Sequence, residues 1–133
     1  MPINQIFGKT FNMLEKSLNI LSKRQTLINS NIANLDTPRY KPREINFREA
    51  LDKAMNNKTI GMFQTHPWHF NSRDGYLGDV YVDTDQTSNG INYVDIDKEM
   101  TKLAENNLIY KTGVEALLRK LAALKHAIIE GGK

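Results

Sequence analysis

The feature that most narrows what this chain can fold into is a pair of apolar seams, one at each end, stepping alternately by four and three residues. The first runs Phe7, Phe11, Leu14, Leu18, Leu21, Gln25, Ile28 and Ile32; the second runs Ile96, Met100, Leu103, Asn107, Tyr110, Val114, Leu117, Leu121, Leu124 and Ile128. Steps of four and three keep one line of side chains on one side of an α-helix, and sustained over several heptads they mark a coiled-coil-like seam. Each terminus is therefore expected to form a helix of about 30 residues, roughly 45 to 50 Å long. Strips of similar length at opposite ends of one chain most simply pack on each other. Each carries one polar interruption, Gln25 and Asn107, which either fixes register at some cost in stability or is a tolerated position at a surface edge.

The seams are not the whole apolar surface. Ile6, Met13, Ile20 and Leu27 repeat every seven residues on the first helix, roughly 100° round from Phe7, Leu14, Leu21 and Ile28. On the second helix the equivalent strip is Ile109, Ala116 and Ala123, small enough for close backbone approach. Leaving four large side chains wet forgoes about 6 to 12 kcal/mol, at about 1.5 to 3 kcal/mol each, which approaches the whole stability of a domain. The expectation is that both helices complete their burial against neighbouring copies or a related partner. The alternative is that the middle of the chain folds back over the second strip.

That middle begins after Pro42. Asn46 and Glu49 form a capping-box pattern, in which the Asn side chain caps the Glu49 amide and the Glu reaches back. A short helix over 46–56 follows, with Phe47, Ala50, Leu51, Ala54 and Met55 on one face, placed to lie against a long helix. Residues 61–90 are rich in turn signals, and Asp79 to Asp83 alternates like a short strand, which fits a small hairpin or an extended arm. Asp95 or Asp97 then starts the last helix, where a carboxylate meets free amides and the positive end of the helix dipole.

At 133 residues the chain is one domain, here read as an N-terminal helix (1–35), a middle segment (36–94) and a C-terminal helix (95–133). The fold class is mainly α, with the long terminal helices pairing as a coiled-coil-like core around a small irregular, β-containing middle. The absence of Cys excludes disulfides, thiolate metal sites and cysteine nucleophiles. Gln5, Gly8, Lys9 and Asn12 interrupt any apolar run near the start, so no cleaved secretory signal is expected, and no stretch has the length of a transmembrane helix. The net charge of +3 is spread along the chain, and its densest basic cluster, Arg39, Lys41 and Arg43, sits beside two prolines; nucleic acid is not an expected partner.

The first helix ends at Asn29 to Lys41. Asn34 is placed to take the left-handed conformation that closes a helix, Asn31 to face out and hydrogen-bond the loop that follows, and Thr37-Pro38 to bar resumption. These residues carry a resemblance. Asn31-Ile32-Ala33-Asn34, then Thr37-Pro38 and Tyr40, resembles the N-terminal signature of the bacterial flagellar rod, hook and hook-associated proteins, with Arg39 where that family usually carries Gly. The stretch from Asn92 to Met100, followed by Leu103-Ala104-Glu105-Asn106 and Tyr110, is similar to the entry of the C-terminal helix in the same family. The short length favours its proximal-rod members.

The resemblance implies a structural subunit of the flagellar basal-body rod, exported without a cleaved signal to the periplasm and polymerising helically to link the membrane ring and export gate to the distal rod. Its implied partners are further copies, FlgC-like and FliE-like rod proteins and the distal rod. A soluble cytosolic coiled-coil adaptor, gripping a partner helix between its seams, is the alternative from another class.

Catalytic and cofactor signals are weak throughout. Pro67 prevents His66 and His69 from sharing a regular helix, and no third ligand stands at metal spacing. Asp83 to Gly90 starts like a calcium loop but has Ser88 where the turn Gly is required and no Glu in the last position. His126, near a helix C-terminus, needs no role beyond that placement. Glu99 and Glu105 read as carboxylates on a helix surface, and no phosphate-binding or nucleophile motif occurs. Neither an enzyme nor a cofactor is expected.

Overall fold

The computed structural model of the chain describes residues 8–56, 81–82 and 93–131. Ile6, Phe7, the His66 and His69 pair and the Asp83 to Gly90 loop lie outside these residues. In chain order the elements are α1 (Gly8–Ala33), β1 (Arg43–Glu44), α2 (Phe47–Met55), β2 (Tyr81–Val82) and α3 (Ile96–Glu130). The 26 and 35 residues of α1 and α3 give lengths of about 39 and 52 Å. β1 and β2 pair antiparallel, with Arg43 opposite Val82 and Glu44 opposite Tyr81.

Local chemistry sets the boundaries. Asp95 caps α3, its carboxylate accepting from the Asp97 amide at 3.0 Å and the Lys98 amide at 3.3 Å, so two otherwise orphaned donors are satisfied. Asn46 caps α2 by accepting from the Glu49 amide at 3.2 Å, whereas the Glu49 carboxylate turns to Lys53 at 2.8 Å. The end of α1 differs from the expected form. Among the non-glycine residues described, positive φ belongs to Arg39 (62°), not to Asn34. Asn34 closes the helix with its side chain instead: its Nδ2 donates to the Ser30 carbonyl at 2.8 Å, and its Oδ1 accepts from the Thr37 hydroxyl at 3.1 Å. The left-handed turn falls where Arg39 replaces the usual Gly.

Helix α2 lies along α1. Ile20, Ile45, Ala50 and Ala54 form a buried cluster, with Leu27, Phe47 and Leu51 packed around it, and Lys16 Nζ donates to the Ala54 carbonyl at 2.8 Å, tying down the last turn of α2. Two members of the second strip, Ile20 and Leu27, are thus covered by the middle segment, while Met13 stays exposed. The expectation that this part of α1 needs another subunit is corrected. The ten residues Ile45 to Ala54 supply enough apolar surface to cover it locally.

Helices α1 and α3 run antiparallel. Gly113 lies against Leu18, Asn106 reaches Leu21 and Gln25, and Glu99 reaches Asn31, so contacts climb one helix as they descend the other. The pairing expected between the two ends is present, yet the centre of the contact on α3 is a polar line beside its apolar seam, whose Leu103, Val114, Leu117 and Leu124 are only half-buried.

Candidate functional site: a polar junction beside an open apolar seam

The centre of the α1–α3 contact is built from residues that repeat at seven beside each seam: Arg24 and Asn31 on α1, Glu99, Asn106 and Gly113 on α3. Asn31 is 1% exposed and uses both ends of its amide. Its Nδ2 donates to the Arg43 carbonyl and to Glu99 Oε2, both at 2.9 Å, and its Oδ1 accepts from the Arg43 amide at 2.9 Å and the Tyr40 hydroxyl at 3.2 Å. A planar amide that accepts from and donates to one residue's backbone imitates the edge of a β-strand, which holds β1 against α1. Asn31 therefore faces in, bonding the following loop and α3 together.

Glu99 is 0% exposed, which corrects its reading as a surface carboxylate. A buried charge survives only when paired and hydrogen-bonded, and a string of partners meets that need. Lys102 Nζ stands 3.3 Å from Glu99 Oε1 and 2.6 Å from Glu44 Oε2, and Arg24 Nη2 donates to Glu44 Oε1 at 3.0 Å. The two cations serve both carboxylates, with the exposed Glu105 standing 4.0 Å from Arg24 at the edge, and the network links α1, β1 and α3. Asn106, also buried, donates to the Leu21 carbonyl at 3.1 Å and to Gln25 Oε1 at 2.7 Å. Gln25 thus takes a register-fixing contact, but with Asn106; Asn107, the interruption of the second seam, is exposed.

The proposed packing positions divide accordingly. On α1, Leu21 and Ile28 are buried and Phe11, Leu14, Leu18 and Ile32 half-buried. On α3, Leu103, Val114, Leu117 and Leu124 are half-buried, whereas Met100 is 50%, Tyr110 40%, Leu121 42% and Ile128 72% exposed. Ile96, Leu108, Leu118 and Ile129 are exposed as well. Of the small-residue strip, Ile109 is half-buried and Ala116 and Ala123 are exposed. In the helix-stop motif, Ala33, Thr37 and Pro38 face solvent while Tyr40 is half-buried, its hydroxyl 3.3 Å from Ser30 Oγ. The result is a long helix carrying an apolar line that the described residues leave open.

Sequence reasoning missed Arg24, Glu44, Glu99, Lys102 and Asn106. A signal existed for most of them, because Arg24 and Asn31, like Glu99 and Asn106, stand seven apart beside an apolar seam and share one side of their helix. Among the described residues no cluster of three or more His, Asp or Glu side chains is arranged to hold a metal, and no described helix is long and apolar enough to cross a membrane. An open groove of about 870 Å³ between Met13 and α2 is floored by Phe47, Leu51 and Met55; on its rim the Glu49 carboxylate is paired with Lys53 and Asp52 accepts from Asn56.

No family model matches the chain. Curated relatives do, three of them as follows. The flagellar basal body rod protein FlgB of Bacillus subtilis is 36% identical over 129 residues, spanning 96% of this chain and 98% of that protein. The FlgB of Aeromonas hydrophila is 35% identical over 124 residues, covering 92% and 94% of the two chains, and that of Salmonella typhimurium 31% over 126 residues, covering 89% and 91%.

Proposed function

The chain belongs to the FlgB family of flagellar basal body rod proteins, structural components of the flagellum, and from that premise we propose that it polymerises through its terminal helices as a subunit of the proximal rod. In this reading it is exported without a cleaved signal, assembles in the periplasm with further copies, FlgC-like and FliE-like proteins and the distal rod, and links the membrane ring and export gate to the rest of the axle. Motility depends on it because a rod missing one type of subunit transmits no torque.

The observation that carries this reading is the open line Met100, Tyr110, Leu121 and Ile128 along α3. Each large side chain left half-exposed forgoes about 1 kcal/mol of burial, so a helix that exposes several in line is more stable once a neighbour covers them. Leu121→Asp tests it: the side chain is exposed in the free chain, so the variant folds, and its charge would be buried only in the assembly. The expected result is unchanged helicity by circular dichroism, loss of motility, and absence of the chain from purified basal bodies. The more deeply seated Leu18→Asp and Leu117→Asp are expected to abolish assembly and to lower monomer stability too. Normal swimming by cells carrying Leu121→Asp would defeat the assignment, as would recovery of the native chain only as a cytosolic oligomer.

A further inference from the structure

Helix α3 has two lines it could turn toward α1. One is the exposed edge of the apolar seam, Met100, Asn107, Tyr110 and Leu121; the other is the polar line Glu99, Asn106 and Gly113, flanked by the half-buried Leu103, Val114 and Leu117 and centred roughly 80° away at about 100° per residue. Apolar burial alone favours the first. The chain uses the second, at a visible cost: Glu99 is a fully buried carboxylate, and Arg24 Nε and Asn106 Oδ1 are buried with no protein partner among the described residues.

What holds α3 in this orientation is directional. Glu99 and Asn106 bond to Asn31, to the Leu21 carbonyl and to Gln25 at 2.7 to 3.1 Å. Rolling α3 through roughly 80° moves a side-chain tip about 7 Å, taking the helix radius with side chains as about 5 Å, which breaks every one of these bonds. Gly113 adds a steric preference for the same line. A Cβ there would lie 3.1 Å from Leu18 Cδ2, so α1 approaches closest where α3 has no side chain.

We propose that the Glu99 and Asn106 contacts are a rotational lock that keeps the outer edge of the α3 seam, Met100, Tyr110, Leu121 and Ile128, turned away from α1, so that a neighbouring subunit of the rod meets it uncovered. The lock's purpose rests on the rod reading; its geometry does not. Without the lock, α3 rolls, the seam closes on α1, and the monomer gains burial at the expense of its interface. Polar residues that set orientation at a cost in stability are known from helical pairs, where one buried polar side chain selects a single arrangement.

The test uses the full-length chain, which has no Cys, so that single cysteines report exposure cleanly. Met100→Cys and Leu121→Cys are labelled with a maleimide in the native background and in Glu99→Leu/Asn106→Leu, with helicity followed by circular dichroism. The native background labels quickly at both positions. In the double variant the expected result is retained helicity, an unchanged or higher melting temperature, and labelling slowed about tenfold as the thiols become buried. Glu99→Gln, which keeps a hydrogen-bonding partner for Asn31, labels like the native chain. Retained helicity with unchanged labelling overturns the proposal. Loss of helicity in the double variant overturns it too, because the seam would then be no adequate alternative face. These readouts come from the unassembled chain, so they stand apart from motility, on which the rod reading itself is judged.

Discussion

Helix α1 meets its two neighbours with opposite chemistry. Against α2 it offers Ile20 and Leu27, and the contact is filled by Ile45, Ala50, Ala54, Phe47 and Leu51, with one hydrogen bond from Lys16 at its edge. Against α3 its central polar residues are Arg24, Gln25 and Asn31, and a chain of hydrogen bonds and ion pairs runs through the contact beside Leu18, which packs on Gly113. The apolar contact tolerates small slips, because burial depends on area and hardly on angle. The polar contact does not, because a hydrogen bond a few ångströms out of place is a buried unsatisfied group. One face supplies stability; the other supplies orientation.

Four substitutions break or sharpen this contrast. The largest effect is expected for Asn31→Leu, which removes the partner of Glu99 Oε2 and the side-chain partners of both backbone groups of Arg43, leaving Glu99 only Lys102 and the Tyr40 hydroxyl only Ser30; a loss of about 3 to 5 kcal/mol is expected by urea denaturation, the scale for breaking a buried charged network. If Asn31→Leu is nearly neutral, the polar junction is decoration. Ile20→Ala removes the centre of the α2 contact and is expected to cost about 2 to 4 kcal/mol through lost transfer energy and the cavity left behind. It leaves maleimide labelling at position 100 unchanged, since α3 is held by other residues. A change in that labelling would show that the two faces are not independent.

Asp95→Ala removes the cap on α3 close to Glu99 and is expected to cost about 1 kcal/mol, read as earlier exchange of the first-turn amides. The smallest expected effect has the opposite sign. Arg39→Gly relieves a left-handed residue at φ 62° and is expected to stabilise by about 0.5 to 1 kcal/mol, the strain relieved less the extra freedom of glycine in the unfolded chain. A loss of stability would mean that the Arg39 side chain makes a contact worth more than the turn's strain.

Much of this architecture was legible before any coordinates. The two helices, the Asp95 and Asn46 caps, the short helix near 46–56 and the hard stop after Asn34 all follow from local rules, because each depends on residues within a turn or two of one another. The family signature was legible for the same reason. The manner of closing α1 was not: Asn34 uses its side chain and passes the left-handed conformation on to Arg39. Both routes satisfy the helix-end carbonyls, and nothing in the stretch itself decides between them.

What the sequence determined by itself, then, is where the helices run, how they begin and end, and that α1 and α3 each carry more than one line able to pack. Only the tertiary structure decided which line turns inward. Periodicity reports that a line exists on a helix, whereas the choice among lines is a competition between apolar area and polar partners. Those partners are 68 residues apart for Asn31 and Glu99 and 85 for Leu21 and Asn106, and no local pattern records a bond across that separation.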